Sequence, residues 1–385
     1  MSTLPTVISV GTAVPPHPVR QEEAKEFARG VFGSSHAEID RLLTVFDHAA
    51  IETRYFSRPR EWFEEPHSFA ERNRIYAEVA GELAESAIRS CLEGTGVKPS
   101  DIDQLIFVSS TGIATPGIDA HLFNRLNMKP TLKRTPVWGL GCAGGAAGLA
   151  RAWEGARAFP ESLVLLVAVE CCGLTFRPED TSRSNLVATS LFADGASAVL
   201  VAGDRSKFAG RIEGPVIVDA MSVTWPDSLS VMGWEVEEDG LKVVFSKEIP
   251  QLVRQRLRPE VDRFLARRGL QVRDVDTFVA HPGGRKVLES YRDALDIPAA
   301  KLQTSADILR QYGNMSSATV LFVLERELEK SHRYGSWGLL TSLGPGFSLE
   351  MVLLRFGEPE HEGWSSRFGS GEPEFHRTKQ GESVE

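Results

Sequence analysis

Apolar residues along this chain switch between two periods, and the switches mark its elements. A helical period over Val79, Leu83, Ala87, Ile88 and Cys91 predicts a long amphipathic helix. Next come the acidic turn Asp101-Ile102-Asp103 and the run Gln104 to Val108, apolar enough for a parallel strand covered on both faces. The same succession returns about 170 residues further on. There the helix face is Leu257, Val261, Phe264 and Leu265, the turn is Asp274-Val275-Asp276, and the run is Thr277 to His281. Gly141-Cys142 then opens one helix, with Leu149 and Trp153 on its apolar side. Gly313-Asn314 opens another, with Ala318, Leu321, Phe322 and Leu328. Each half closes on a small-residue turn and an apolar strand, Gly195 to Val201 and Gly346 to Leu353. Three echoes in one order predict a duplicated α/β unit, with halves at 1–205 and 206–356. If the halves pack about a pseudo-twofold axis, Cys142 and Asn314 face each other from helix N-termini. His281 then lies between them at a strand end.

Composition narrows the reading. The chain has 385 residues, 42% hydrophobic and 25% charged, which suits one extended core or two fused halves. A net charge of −9 argues against nucleic acid as an obligatory partner, although a few local arginines can still bind an anionic coenzyme. Of the four cysteines, Cys91 falls in a helix and Cys171-Cys172 in an apolar strand. Neither a zinc pattern nor a disulfide framework is visible, and a reducing cytoplasm fits best. Met1 to Pro16 lacks the basic start of a signal peptide, and no apolar run reaches the ~18 residues of a membrane span. The stretch 357–385 is rich in Gly, Ser, Glu, Pro and Arg and is expected to be mobile; its histidines, His361 and His376, are not spaced for a metal.

A thiol, an imidazole and a carboxamide can divide an acyl transfer between them. A cysteine on a strand-to-helix corner is favoured as thiolate by free N–H groups and the helix dipole, and the imidazole is expected to hold it as an ion pair. If a bound malonyl thioester loses CO2, negative charge develops on its carbonyl oxygen. Two aimed donors, His281 and Asn314, would stabilise it without a general base. Singly, each residue has an ordinary role: a small residue at a packed corner, a satisfied loop histidine, a helix N-cap. Jointly they favour catalysis.

Around these residues lie Gly141-Cys142-Ala143-Gly144-Gly145, Leu191-Phe192-Ala193-Asp194-Gly195-Ala196, His281-Pro282-Gly283-Gly284, Gly313-Asn314-Met315-Ser316-Ser317 and Gly344-Pro345-Gly346-Phe347. In these motifs the chain resembles the type III polyketide synthases, the chalcone and stilbene synthase family, from about Pro5 to Phe356. The resemblance implies a thiolase-type five-layer αβαβα fold, a homodimer, coenzyme A thioesters as substrates, and no metal or prosthetic group. It implies that Cys142 carries the starter and growing chain, while His281 and Asn314 serve decarboxylation and condensation. Phe192 matches a gatekeeping aromatic, and Gly344-Pro345-Gly346 a loop shaping the cavity floor. Cys172, Thr175, Ala188, Trp234, Val243 and Ser316 match cavity-lining positions, and Thr115 a position that reaches into the partner subunit. Arg54, Arg58 and Arg60 fall where the family binds coenzyme A phosphates.

Trp234 stands where plant members carry glycine and restricts room for a bulky aromatic starter, while small Thr115, Ala188 and Ser316 open space for an aliphatic tail. The neighbouring text looks like bacterial members that extend long-chain acyl-CoA with malonyl-CoA to alkylpyrones or alkylresorcinols. The alternatives are a malonyl-CoA-only synthase of the tetrahydroxynaphthalene type and a single-condensation enzyme like β-ketoacyl synthase III. The latter usually shows His-Gln-Ala-Asn where this chain has His281-Pro282-Gly283-Gly284. A papain-like hydrolase lacks its signature around Cys142, and intact Cys142, His281 and Asn314 speak against a non-enzymatic acyl-CoA binder.

Overall fold

Nine strands hydrogen-bond side by side in the computed structural model, which describes residues 4–33, 38–211 and 213–357. Apart from Gly357, the tail read as mobile lies outside the described residues, with His361 and His376. A single paired position, Thr6 with Val216, joins two sets of strands. Outward from that seam, the first set is Thr6–Ala13, Asp194–Ala202, Leu163–Cys171, Gln104–Val108 and Lys133–Val137. The second is Val216–Thr224, Ser348–Arg355, Trp337–Gly344 and Val275–Ala280. Successive neighbours in each set are antiparallel, antiparallel and then parallel, so the sets match strand for strand; Lys133–Val137 is an extra parallel edge on the first.

The duplication extends to local detail. Each acidic turn is a single 3-10 turn, Pro99–Asp101 and Val272–Asp274. In each, the aspartate accepts a hydrogen bond from the backbone N–H three residues earlier, at 2.9 Å from Lys98 and 2.8 Å from Gln271. A carboxylate there satisfies a donor that the turn leaves open. The amphipathic segments before these turns are the helices Phe69–Leu92 and Ile249–Ala266.

Alternation along the strands sorts their side chains into three apolar layers. Leu105, Phe107, Leu165 and Val167 pack outward under Phe69–Leu92, with Val79, Leu83, Ala87 and Ile88 of that helix. Phe278, Leu339, Leu353 and Met351 do the same on the other half, under Val253, Leu257 and Phe264. Ile106, Val108, Leu166, Val279, Leu340 and Val352 point inward, onto Leu149, Trp153, Leu321 and Phe322 of two central helices, Gly144–Ala158 and Thr319–Leu328. Helix, sheet, helices, sheet, helix is the expected five-layer αβαβα order. Among the described residues no helix is long and apolar enough to cross a membrane.

The central helices meet where glycine permits it. A Cβ on Gly145 would lie 2.2 Å from the Ser317 carbonyl oxygen, and one on Gly144 would lie 2.5 Å from a methyl of Val108. Neither obstacle is the end of a flexible side chain. Gly145→Ala is therefore expected to destabilise the fold by roughly 1–3 kcal/mol, read as a lower urea midpoint at an unchanged m-value. An unchanged midpoint would mean that this contact is looser than described.

Candidate functional site

Cys142 sits in the 3-10 turn Gly141–Ala143, immediately before the helix Gly144–Ala158. Gly141 has φ +46°, and a Cβ there would meet the Pro345 ring at 2.8 Å, so a bare backbone lets the turn close on the Gly344-Pro345 segment. The Cys142 side chain is buried, with its Sγ 3.6 Å from the Ser316 hydroxyl.

Asn314 comes from the other half. Gly313, at φ +72°, ends the helix Gln303–Tyr312, and Asn314 then pairs with the chain at Phe192. Its N–H donates to Leu191 O at 2.8 Å, and its carbonyl accepts from Ala193 N at 2.9 Å. Asn314 is therefore not a helix cap, as its place after Gly313 suggests. The turn Ser316–Ala318 intervenes, and the helix starts at Thr319. The Asn314 Oδ1 accepts from Ser316 N at 2.9 Å, which turns the amide nitrogen toward Gly283 O, 3.3 Å away. The same side chain reaches the thiol of Cys142.

His281 follows the strand Val275–Ala280 and continues its ladder, donating its N–H to Thr341 O at 2.9 Å. Its ring is buried, and neither ring nitrogen has a hydrogen-bond partner. Gly283 lies against that ring, and its carbonyl holds Asn314, so one short loop links imidazole and carboxamide. A buried, unpaired imidazole is costly, and a ligand oxygen or thiol in this pocket would satisfy it.

Burial works against the expected ion pair. It pushes the Cys142 thiol up to about 11, against the pull of Ser316 and Asn314. It also pushes His281 down to about 3. Desolvation therefore favours the neutral thiol and the neutral imidazole in the free protein, where the helix N-terminus and neighbouring donors favour the thiolate. Beneath the thiol, Glu170 accepts from Ser110 N, Thr111 Oγ1 and Ser317 Oγ, and burial raises it to about 7.

Three spaces adjoin here. A small chamber holds Cys142, Ser316 and Pro345, walled by Phe192, Met232, Trp234, Val243 and Phe245. Phe192, Trp234 and Val243 also wall a second, mostly apolar cavity, lined by Cys172, Thr175 and Ala188 and by Phe27, Phe56, Phe63 and Phe176. The third is a groove that shares Phe245 with the chamber and is bordered by Gly283-Gly284, with Arg183, Lys247, Lys286 and His48 along it. Trp234 and Val243 are cross-strand partners on the hairpin Met232–Glu237 and Gly240–Phe245, and Phe245 follows on the same face.

Thus Phe192, Trp234, Val243, Ser316 and Pro345 line the chamber of Cys142, and Cys172, Thr175 and Ala188 line the adjoining cavity, with Gly344 abutting the Cys142 turn and Gly346 in that loop. Thr115 does not join them; it is exposed and lines none of these spaces. Arg54 does not fit a role on coenzyme A phosphates. It is 1% exposed and donates to Thr189 O at 2.6 Å and Phe192 O at 2.8 Å, so it braces the Phe192 loop from inside the core. Arg60 borders the apolar cavity and pairs with Glu64, and neither it nor Arg58 lines the basic groove. Phe245, Lys247, Lys286 and Arg183 were not singled out. Phe245 could have been, since it stands two residues from Val243 on a strand, whereas scattered cations leave no pattern.

The site also has known relatives. Residues 2–205 match the family described as chalcone and stilbene synthases, N-terminal domain, and residues 216–356 match its C-terminal domain. A Bacillus subtilis (strain 168) protein named "Putative chalcone synthase" is 44% identical over 90% of this chain and 98% of its own length. The 1,3,6,8-tetrahydroxynaphthalene synthase of Streptomyces peucetius subsp. caesius is 38% identical over 91% of this chain and 93% of its own. The crystal structure of the synthase of that name from Streptomyces coelicolor A3(2), a bacterial type III polyketide synthase, superposes with a TM-score of 0.86 at 29% identity. That superposition covers 92% of this chain and 100% of the other.

The raised thiol sets a pH test. The thiolate fraction grows about tenfold per pH unit below the thiol pKa, so Cys142 alkylation by iodoacetamide in the free protein is expected to accelerate from pH 7 to 9 without levelling. A plateau below pH 7 would contradict the neutral pair and restore the ion pair.

Proposed function

The chain belongs to the chalcone and stilbene synthase family of type III polyketide synthases, and from that premise we propose that it extends a Cys142-bound, long-chain acyl starter with malonyl units. Alkylpyrone- or alkylresorcinol-type products would result. The observation that carries the starter assignment is the apolar cavity that shares Phe192, Trp234 and Val243 with the chamber of Cys142. Its phenylalanines, Phe27, Phe56, Phe63 and Phe176, suit methylenes better than a polar group.

In this reading Cys142 Sγ attacks the starter thioester as its proton passes to the neutral imidazole of His281; the C–S bond to coenzyme A breaks, and the proton returns to the leaving sulfur. Malonyl-CoA then enters by the groove. Its carboxylate leaves as CO2, with the negative charge held at the thioester oxygen by N–H groups of His281 and Asn314. The enolate carbon attacks the Cys142-bound carbonyl, the new carbon–carbon bond forms, and the thiolate is released for reloading. This is acyltransferase chemistry with coenzyme A thioesters and without a metal or prosthetic group. Arg183, Lys247, Lys286 and His48 replace Arg54, Arg58 and Arg60 as the set facing the coenzyme's phosphates. We further propose a homodimer in which a second copy covers the Thr115 loop, where Ile113 and Trp138 are about half exposed. The four free thiols fit a reducing cytoplasm.

A second reading has its own support. Two relatives, at 38% and 30% identity, are named tetrahydroxynaphthalene synthases, which favours a synthase using malonyl-CoA alone.

Purified protein given malonyl-CoA and acyl-CoAs of graded length decides between them. Acyl adducts on Cys142 in intact-mass spectra, absent in Cys142→Ala, and products that grow with the starter are expected. Turnover of malonyl-CoA alone would favour the second reading. A single condensation requiring carrier protein would overturn both. Separately, Lys247→Ala and Lys286→Ala should each raise the KM for acyl-CoA by about three- to tenfold at constant kcat, the range for losing one charge-assisted contact. An effect from Arg58→Ala instead would return the phosphates to the first arginine set.

A further inference from the structure

The hairpin that supplies Trp234, Val243 and Phe245 is a two-stranded sheet of its own, outside the nine-stranded array. A free hairpin of this size is marginal, so its position must be set by contacts with the body. Its outer ion pairs, Lys242 with Glu235 and Glu237, stay within it. Its tip behaves differently. Asp239 makes a two-pronged pair with Arg177, Oδ2 accepting from Nε at 2.8 Å and Oδ1 from Nη2 at 2.5 Å. Arg177 is only 13% exposed, and the carbonyl of its own residue accepts from Asn185 Nδ2 at 2.8 Å. Arg72, itself buried, stands behind the tip: its Nη1 donates to Phe176 O at 2.7 Å, and it feels the Asp239 charge. Gly240 brings the hairpin backbone against both guanidinium side chains.

The anchor point matters for the cavity. Arg177 directly follows Phe176 and lies two residues beyond Thr175, both of which line the cavity together with Trp234 and Val243 of the hairpin. Asn185, which holds the Arg177 backbone, lines the same space. The ion pair therefore ties together two segments of chain that each wall this cavity. We propose that the Asp239–Arg177 pair is a latch that sets the separation of these walls, making Asp239 a positioning residue that tunes which acyl chains the enzyme accepts. The selectivity part rests on the reading of this cavity as the starter's. The mechanical part does not.

The test compares the parent with Asp239→Asn and Asp239→Glu. In Asp239→Asn, amide hydrogen exchange across residues 232–245 should quicken, and the ratio of kcat/KM between the best and poorest acyl-CoA should fall about fivefold, as loss of one well-made ion pair allows. Decarboxylation of malonyl-CoA should stay at the parent rate, and Asp239→Glu, which keeps the charge, should restore most of the selectivity. Arg177→Met, which removes the other partner, should reproduce the Asn variant if that one folds poorly. Unchanged exchange overturns the latch, even if the parent takes no starter but malonyl-CoA. An equal loss at every chain length, with decarboxylation falling alongside, also overturns it, because Asp239 would then be a general prop. Failure of the starter reading would show instead as a parent that turns over malonyl-CoA alone.

Discussion

Two backbone hydrogen bonds between Asn314 and the segment from Leu191 to Ala193 tie the halves of the chain together at the candidate site. Through them the position of Asn314 is coupled to that of Phe192, and so the amide that faces the thiol is fixed relative to the aromatic wall. The bridge is reinforced from beneath. Arg54 binds the carbonyls of Thr189 and Phe192 from within the core, and Asp194 accepts from the N–H and hydroxyl of Ser57 and from Gly173 N. Burial of both groups is expensive, lowering Arg54 to about 9 and raising Asp194 to about 6. Such a buried polar brace favours one geometry over alternatives more than it adds to stability. Here that geometry places Phe192 in the shared wall of the Cys142 chamber and the adjoining apolar cavity.

Much of this frame was legible in the sequence because duplication writes itself twice. Helix, acidic turn and strand recur in each half, and the structure returns them with the same order and the same aspartate-capped turn at Asp101 and Asp274. Cys142, His281 and Asn314 could be brought together from that symmetry alone. What stayed hidden depended on direction in space. Arg54 reads as one of three surface arginines until its neighbours close over it, and Asn314 reads as a cap until its backbone is seen paired across the halves. Lys247, Lys286 and Arg183 come from three separate stretches of chain, and only the folded groove aligns them. The protonation of the thiol was the least legible of all, because it depends on how completely water is excluded.

That exclusion gives the site its character. Burial favours the neutral form of the Cys142 thiol and of the His281 imidazole, whose ring nitrogens have no partner; in the proposed mechanism a bound thioester would supply one. The same dryness would strengthen any donor aimed at a developing enolate, and Asn314, which cannot titrate, would stay effective where His281 is neutral. On that proposal, loading and decarboxylation are separable tasks.

Their separability is the most direct test of the account. Radiolabelled malonyl-CoA given to Cys142→Ala should still lose CO2 and leave acetyl-CoA, with no condensed product. Asn314→Ala should lose most of that decarboxylation while still accepting an acyl group on Cys142. Decarboxylation that disappears with the thiol, or survives without the carboxamide, would contradict the division of labour between the two halves.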